Sequence, residues 1–214
     1  SKRSAASRTA KMLFHWISRI YGWFFHYQKR RFKAILTEHG SELESVESAC
    51  DVGCGTGALC AVLAERGIRT TGVDSAKGML AVARRKTRGL PIRFILADGV
   101  SGLPFLDKSF DLVISSHVAH GLKKPDRIRF YQELKRIASK TVIIHDYNSR
   151  RHPVSTIIEW AEGGDYFNFI KEPKKEIEEI FPSISIVDVS PYFRWYVCRC
   201  ATEPSSGDTP ASSR

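Results

Sequence analysis

Short apolar runs recur from residue 46 onward, and most are followed by a stretch with apolar side chains three or four positions apart. The runs predict buried strands and the stretches predict amphipathic helices. Predicted strands cover residues 46–50, 69–73, 92–96, 112–115, 141–144, 184–189 and 193–200, and predicted helices cover residues 58–66, 76–86, 126–139 and 174–181. This alternation predicts an α/β fold, a doubly wound, mainly parallel, seven-stranded Rossmann-like sheet that ends in an antiparallel C-terminal hairpin.

The chain outside this alternation divides by composition. Residues 1–11 are polar and basic and are predicted to be mobile, whereas residues 12–40 are rich in aromatic side chains and predict a helical lid. Its apolar stripe runs through positions 13, 16, 17, 20, 21, 24 and 27. Residues 41–201 form the Rossmann-like domain, in which residues 149–171 interrupt the pattern as a substrate-cap insertion. Residues 202–214 are rich in Ser, Pro and Gly and predict a disordered tail.

Charge and cysteine content set the chemical context. The 33 lysines and arginines exceed the 23 acidic residues, so the formal net charge is +10 and favours anionic partners, such as phosphate, nucleic acid or acidic lipid. The five cysteines form no CxxC pair, and we expect reduced, mostly buried thiols, no metal site and a cytoplasmic location. A basic N-terminus that contains Ser and Arg is also typical of an organelle transit peptide.

A glycine-rich turn, Asp51-Val52-Gly53-Cys54-Gly55-Thr56-Gly57, lies between the first predicted strand and helix. Glycines let a ligand approach the backbone, and the helix N-terminus supplies unpaired N–H groups. Two kinds of ligand remain possible at this turn. Glycines 53 and 55, followed by Ala58, satisfy the loose dinucleotide fingerprint, with Asp74 at a distance suited to a ribose hydroxyl, so an NAD-linked oxidoreductase is one candidate. The Asp51 carboxylate is unfavourable beside a pyrophosphate and suits a ligand with an ammonium or sulfonium group.

The glycine turn resembles the first motif of the class I S-adenosylmethionine-dependent methyltransferases. Further matches to the small-molecule, quinone-type branch follow in the family's order at Gly72-Val73-Asp74, Met79-Leu80, Ala97-Asp98, Leu103-Pro104-Phe105, residues 109–113 and residues 117–122. The resemblance covers roughly residues 14–146. It departs from the family where relatives often carry Lys-Pro-Gly-Gly before the fifth strand, since here residues 138–140 run straight into it.

The resemblance implies S-adenosyl-L-methionine as cofactor. Asp51 would complement its amino group, Asp74 would accept from both ribose hydroxyls, and Asp98 would accept from the adenine amino group. Met79 would cover a face of the adenine, and residues 115–117 would lie under the sulfonium. The implied cofactor-binding residues are Asp51, Gly53, Cys54, Gly55, Gly57, Asp74, Ser75, Met79, Asp98, Gly99 and Ser115.

The methyl acceptor is less constrained. The chain lacks an Asn/Asp-Pro-Pro-Tyr or Pro-Cys motif after the fourth strand, which disfavours amine methylation of DNA bases and cysteine-dependent cytosine methylation. The leading hypothesis is in-line methyl transfer to a small-molecule or lipid-like acceptor, with peripheral membrane contact through the N-terminal segment. Methylation of RNA or protein is the alternative, and a cofactor-binding regulator without chemistry is a further one. Candidate catalytic residues are His117, His120, His145 and Tyr147, and candidate substrate-binding residues are Tyr21, Arg150, Trp160 and Tyr166.

Overall fold

The computed structural model describes residues 23–148 and 165–200. Helix α1 covers residues 23–38, and short 3₁₀ turns occupy Gly40–Leu43 and Ala119–Gly121. The strands are β1 (Ser48–Val52), β2 (Arg69–Asp74), β3 (Ile92–Leu96), β4 (Phe110–Ser116), β5 (Ala138–Tyr147), β6 (Ser183–Asp188) and β7 (Phe193–Arg199). The remaining helices are α2 (Ala58–Glu65), α3 (Lys77–Lys86), α4 (Lys124–Ile137), α5 (Tyr166–Phe169) and α6 (Pro173–Glu178).

The described strands form one seven-stranded sheet in the order β3-β2-β1-β4-β5-β7-β6. Strands β1 to β5 are parallel, and β7 pairs antiparallel with both β5 and β6. The predicted fold class and the C-terminal hairpin are therefore confirmed. Because the strand order reverses between β1 and β4, the carboxyl ends of these two strands flank a crevice in which open α/β sheets bind ligands.

Helices cover both faces of the sheet. On one face, α1 buries Phe25, Phe32, Ile35 and Leu36 against α2 and the sheet. The opposite face carries α4, α5 and α6. Full burial of one such side chain contributes about 1.5–3 kcal/mol, so α1 is held chiefly by this apolar contact. Polar contacts add to it, since the Arg66 guanidinium donates to the Leu36 carbonyl at 2.7 Å.

Two strands differ from their predicted bounds in ways that matter for the site. Strand β1 extends to Val52, so Asp51 lies within the buried strand and not after it. Strand β5 extends to Tyr147, because its last three residues pair with β7 at Trp195, Arg194 and Phe193. The segment predicted to follow the fifth strand is therefore part of it.

The helical phase of α1 also differs from the predicted stripe. Positions 24 and 27 were predicted to share the apolar face, yet Phe24 and Tyr27 are exposed, whereas Phe25 is buried. Aromatic side chains on several sides of a helix do not define its phase, and docking against α2 decides it here. Residues 1–22, 149–164 and 201–214 lie outside the described residues, together with the predicted mobile N-terminus, most of the cap insertion and the predicted C-terminal tail.

Four of the cysteines, Cys50, Cys54, Cys60 and Cys198, are buried, and Cys200 is partly buried; all five are free thiols. Burial raises the pKa of Cys50 and of Cys60, so both are protonated at neutral pH. None of the helices in residues 23–148 and 165–200 is long and apolar enough to cross a membrane.

Candidate active site

The glycine turn folds tightly between β1 and α2. The backbone N–H groups of Gly53 and Cys54 both donate to the Val73 carbonyl of β2, at 2.8 and 2.9 Å. Gly53 has a φ of +83°, and a Cβ atom there would lie 2.3 Å from Cγ2 of Val118. Any side chain at this position is therefore both strained and crowded. The sequence requires glycine here to keep the backbone next to the space that it borders.

Asp51 carries an unpaired oxygen into that space. Its Oδ2 accepts a weak hydrogen bond from Cys60 Sγ at 3.4 Å, while its buried Oδ1 has no partner among the described residues. Burial, aided by the charge of Asp74 and opposed by the Cys60 hydrogen bond, raises the pKa of Asp51 from 3.8 to about 7. A buried polar atom left without a partner is energetically costly, so this carboxyl suits a cationic ligand.

A small cavity of about 70 Å³ lies in front of Asp51. The Oγ atom of Ser116, a second lining residue, is also buried without a partner in the described part of the chain. Gly53, Gly55 and Met79 line the same cavity. Two unpaired polar atoms beside bare glycine backbone fit the amino-acid end of S-adenosylmethionine.

Asp74 and Asp98 line a second cavity of about 300 Å³ on the other side of the glycine turn. The two oxygens of Asp74 accept from the backbone N–H groups of Gly55 and Ala76, both at 2.8 Å. Asp98 accepts from Val100 N–H and Ser101 Oγ, both at 2.9 Å. A carboxylate offers about four lone-pair sites, so each still has capacity for a ligand hydroxyl or amino group. These acids thus shape the loops and also border the cavity.

A third cavity of about 560 Å³ shares lining residues with each of the first two. Its wall combines α1 with the carboxyl ends of β4 and β5, and its lining residues are Phe24, Tyr27, Gln28, Arg31, Phe32, Ile35, His117, His120, His145, Tyr147 and Phe193. His117 borders both this cavity and the one with Asp74, and Gln28 borders both this cavity and the one with Asp51. A ligand spanning the glycine turn would therefore meet the contents of the third cavity near His117. We call the third cavity the acceptor cavity.

His117 occupies this junction in a rare conformation. Its φ is +58°, and its N–H donates to the His145 carbonyl at 2.9 Å, which continues the β4–β5 ladder beyond Ser116. Solvent reaches the ring through the cavity, yet protein atoms surround it, and this desolvation, with the nearby charges of His120 and Arg31, lowers the pKa of His117 to about 4. The ring is neutral at pH 7. Left-handed backbone at a non-glycine residue is a feature that clusters at functional sites.

His145 is also neutral, in a tautomer that its neighbour determines. The Trp195 indole N–H donates to Nδ1 of His145 at 3.1 Å. Because an indole nitrogen is only a donor, Nδ1 must be the acceptor and the ring proton must lie on Nε2. Burial, together with the His117 and Arg31 charges, lowers the pKa of His145 well below its ordinary value. His145 is therefore a hydrogen-bond donor and a poor base.

His120 forms a buried pair with Asp146. Its Nδ1 lies 2.7 Å from Asp146 Oδ1, and its backbone N–H donates to Oδ2 of the same carboxylate at 3.3 Å. Burial alone would raise the pKa of Asp146, but its contacts with His120, with smaller contributions from His117 and the Tyr147 N–H, outweigh burial and lower it. An ionised carboxylate only accepts, so Nδ1 carries a proton and, in the neutral ring, the lone pair lies on Nε2.

The structure brings most of the predicted cofactor residues together. All of them line the first two cavities except Gly57, which directly precedes α2, and Ser115, which is fully buried and is replaced in the lining by Ser116. Met79 borders the cavity with Asp51, and its contact with the adenine stays a prediction.

The predicted acceptor residues separate into two groups. The four catalytic candidates all line the acceptor cavity. Tyr166 lies behind that wall, with its ring 4.9 Å from the Tyr147 ring, while Tyr21, Arg150 and Trp160 lie outside the described residues. The sequence did not indicate three residues of the cavity, Gln28, Arg31 and Phe193, because they belong to no motif. It also did not indicate the pairing of Asp146 with His120, although Asp146 directly follows the candidate residue His145.

The strand order of the sheet, the glycine turn after β1 and the acidic side chains at the first three strand ends are the features that the resemblance to class I methyltransferases implies. Residues 50–144 match the family described as methyltransferase domain. The matched residues are a little under half of the 214-residue chain, and over them the chain is similar to the class I S-adenosylmethionine-dependent methyltransferases. S-adenosylmethionine is the cofactor of this class, and the NAD alternative finds no support.

Curated relatives match parts of the chain. Demethylmenaquinone methyltransferase of Thermus thermophilus is 49% identical over 67 residues, which is 29% of this chain and 30% of that protein. Malonyl-[acyl-carrier protein] O-methyltransferase of Geobacter sulfurreducens is 33% identical over 132 residues, which is 61% of this chain and 49% of that protein. The chain thus spans less than half the length of these relatives.

Solved structures share the fold over most of the chain. The PH0226 protein of Pyrococcus horikoshii has a TM-score of 0.65 at 18% identity, covering 82% of this chain and 91% of that one. Magnesium protoporphyrin IX methyltransferase of Synechocystis, with bound S-adenosylhomocysteine, has a TM-score of 0.57 at 20% identity, covering 81% and 83%. At these identities the likeness establishes the Rossmann-like fold alone.

Proposed function

We propose that the protein transfers the methyl group of S-adenosylmethionine to a small-molecule or lipid-like acceptor. The observation that carries the proposal is that the cavities are adjacent. Three carboxylates, those of Asp51, Asp74 and Asp98, border the cofactor cavities, and the acceptor cavity shares Gln28 with the cavity of Asp51 and His117 with that of Asp74 and Asp98. A cationic donor and a separate apolar acceptor can therefore lie side by side.

Different residues of the chain would bind different parts of the cofactor. Asp51 and Ser116 would hold the amino-acid end of the cofactor, Asp74 the ribose and Asp98 the adenine. The bound cofactor supplies a methyl carbon already activated by its sulfonium sulfur. Helix α1 covers the acceptor cavity with Phe24, Gln28 and Phe32, and Gln28 Oε1 accepts from Thr56 Oγ1 of the glycine turn at 3.0 Å. Such a cover excludes water and aligns the acceptor.

Proton removal falls to His120 in this arrangement. Of the three histidines in the acceptor cavity, His117 and His145 have lowered pKa values, which makes them weak bases, while Asp146 holds Nδ1 of His120 at 2.7 Å and leaves Nε2 as the basic nitrogen of that ring. The acceptor atom forms its bond to the methyl carbon as the carbon–sulfur bond breaks, and the electron pair stays on sulfur. The acceptor proton passes to Nε2 of His120, so no further reactant is needed.

Calorimetry with S-adenosylmethionine, S-adenosylhomocysteine and NAD tests the cofactor site. The wild type is expected to bind the first two and not NAD, and Asp74→Ala is expected to weaken both about a hundredfold, because hydrogen bonds to a charged group are each worth roughly 1.5–3 kcal/mol. Asp188→Ala, at an exposed aspartate of β6, is the matched control and should bind like the wild type. Wild-type protein without affinity for S-adenosylmethionine would rule the proposal out.

The acceptor cavity and the relatives support an apolar acceptor. Six of the eleven residues that line the cavity are Phe, Tyr or Ile, and the curated relatives carry names that refer to a quinone precursor and to a malonyl carrier protein. Neither of these names refers to RNA, the alternative acceptor that the net positive charge suggested. Small or lipid-like molecules are therefore the favoured class.

An exposed aromatic surface on α1 supports peripheral contact with a lipid surface. Trp23, Phe24 and Tyr27 are 71%, 40% and 45% exposed, and the Trp23 and Tyr27 rings stack at 5.7 Å. Tryptophan and tyrosine favour the membrane–water interface, and the chain has no acidic residue before Glu38, which suits anionic headgroups. Two of these residues also border the acceptor cavity, so a lipid-like acceptor would enter from this side.

Sedimentation with vesicles of phosphatidylcholine and phosphatidylglycerol tests this contact. Trp23→Ser is expected to reduce the bound fraction severalfold, since it removes the most exposed aromatic ring of the surface. Leu106→Ser is the matched control, because Leu106 is 83% exposed in the loop before β4 and should not matter. Equal losses in the two variants would contradict a specific role of α1.

A further inference from the structure

The two halves of the proposed active site carry opposite charge. Aspartates 51, 74 and 98 border the cofactor cavities, whereas the described lining of the acceptor cavity includes one guanidinium, that of Arg31, and no carboxylate. The acid nearest to that lining, Asp146, is fully buried behind His120 and is already paired with it. The one charged group that the described lining presents to a ligand is therefore the Arg31 guanidinium.

Arg31 is the source of this charge, and its partners do not neutralise it. Its guanidinium lies 6.0 Å from the centre of the Tyr27 ring, and no acidic side chain in residues 23–148 or 165–200 forms an ion pair with it. Lys29, two residues earlier on the same helix, is paired with Glu65. The charge of Arg31 reaches into the cavity, since it helps to lower the pKa of both His117 and His145.

We propose that Arg31 is the anion-binding residue of the acceptor cavity, and that the acceptor is an apolar molecule carrying one oxyanion, a carboxylate or a phenolate. The proposal rests on the proposed function and names its substrate class. Aromatic and aliphatic side chains would hold the body of the molecule, while the guanidinium fork would bind the oxygens in the manner that arginine favours. His120 would act on a second, protonated group or on the phenol itself before it ionises.

Opposite charges on the two sides fit the reaction. The donor is a cation, and the acidic residues of its cavities favour cations. An acceptor anion held across the junction at His117 is attracted by the sulfonium and excluded from the acidic side. Arg31 thus orients the acceptor. If a different oxygen is methylated, the anionic end of the acceptor stays at α1. If the anionic oxygen itself is methylated, that end turns to the methyl group.

Binding of matched probes tests the proposal without knowledge of the natural acceptor. Calorimetry in the presence of S-adenosylhomocysteine would compare 2-naphthoate with its neutral isostere 2-naphthamide, and 4-nitrophenolate with 4-nitroanisole. The wild type is expected to bind one or both anions at least about tenfold more tightly than the neutral partner. A carboxylate preference and a phenolate preference identify the two possible sources of the oxyanion.

Three variants define the role of the residue. Arg31→Met is expected to remove the preference for the anion while keeping affinity for the neutral probe, and Arg31→Lys is expected to retain part of it. Arg30→Met is the matched control, since Arg30 is the neighbouring exposed arginine and does not line the cavity. Arg31 is exposed, and thermal unfolding checks that each variant is folded.

The proposal fails if the wild type shows no preference, if no probe binds, or if Arg31→Met keeps the preference. It also fails if Arg30→Met loses it equally, because the effect would then be the general charge of α1. Affinity for S-adenosylhomocysteine, measured in the same titrations, separates this failure from that of the proposed function. Unchanged cofactor affinity with no anion preference overturns the role of Arg31 alone, whereas absent cofactor affinity overturns the methyltransferase proposal.

Discussion

Asp51→Asn is expected to stabilise the cofactor-free protein at pH 8 and to weaken S-adenosylmethionine binding by about a hundredfold or more. The two effects share one cause, the burial of a carboxyl whose Oδ1 lacks a partner in the described residues. Burial removes water from the charged carboxylate, which costs free energy in the folded protein. The amino group of the bound cofactor would offset that cost. An asparagine amide is neutral, so it removes the cost of the charge and the attraction for the ligand together.

The sign of the pH dependence follows from the raised pKa. The pKa of Asp51 is about 7 in the folded protein against an ordinary 3.8, so the folded state binds more protons than the unfolded chain between these values. The contribution of Asp51 to stability is therefore fully present below pH 3.8 and is lost as pH rises to about 7. A shift of this size corresponds to roughly 4 kcal/mol, and Asp51→Asn should remove that slope.

Urea denaturation at pH 5, 7 and 8.5, with and without S-adenosylmethionine, measures both effects. Asp111→Asn is a control of opposite sign. Burial would raise the pKa of Asp111, but hydrogen bonds from the Glu47 and Ser48 N–H groups and from Lys140 lower it overall. Its carboxylate therefore contributes stability above the ordinary pKa that is lost as pH falls, and Asp111→Asn should destabilise at pH 7.

Two outcomes would contradict this view of Asp51. If Asp51→Asn lowered the stability of the cofactor-free protein at pH 8, the carboxylate would have a stabilising partner. Unchanged affinity for S-adenosylmethionine would show that the cofactor does not use the unpaired Oδ1. Proton release on cofactor binding near pH 7, measured by calorimetry in buffers of different ionisation enthalpy, gives an independent check, because a bound cation lowers the pKa of Asp51.

The cofactor half of the site could be predicted from sequence because it depends on local order along the chain. Asp51, Asp74 and Asp98 each stand at or just beyond the end of an apolar run, and parallel strands bring such ends to one edge of the sheet. The choice between Ser115 and Ser116 could not be predicted, since successive strand residues face opposite sides and the register decides which one meets the cavity.

The acceptor half depends on contacts between distant segments. His120 and Asp146 are brought together only by the pairing of β4 with β5, which places Ser116 beside His145. Arg31 reaches the cavity because Phe25, Phe32 and Ile35 set the phase of α1, and an aromatic-rich helix offers several phases. Neither contact leaves a periodic signal in the sequence.

A buried arginine in the core is another feature that depends on contacts between distant segments and that the local sequence pattern does not predict. Arg127 lies in α4, where it is 1% exposed and binds Glu176 through two nitrogens, with Asp165 as a further partner. These bonds tie α4 to the loop before α5 and to α6, and α5 carries Tyr166 against Tyr147. A charged residue within a helical pattern predicts exposure, and only the position of its acidic partners makes burial favourable.

His120→Asn is expected to lower kcat/KM about a hundredfold for an acceptor that must lose a proton, with cofactor affinity unchanged. General base catalysis by a positioned side chain typically contributes about 10²–10⁴-fold. Asparagine can still donate to Asp146 from a position close to that of Nδ1, so the buried carboxylate keeps a partner. What asparagine lacks is the second nitrogen, Nε2, that would take the proton. The acceptor would first be identified by transfer of labelled methyl groups to a metabolite extract.

His145→Asn separates the base from its surroundings. His145 lines the same cavity, and an asparagine oxygen there can still accept from the Trp195 indole. Its loss of kcat/KM should be less than about tenfold, well below the loss expected for His120→Asn. Asp146→Asn, which removes the charge that holds the His120 tautomer, should lose activity to a similar extent as His120→Asn, and the double variant little more, because the pair acts as one unit. A larger loss in His145→Asn than in His120→Asn would transfer the role of base to His145.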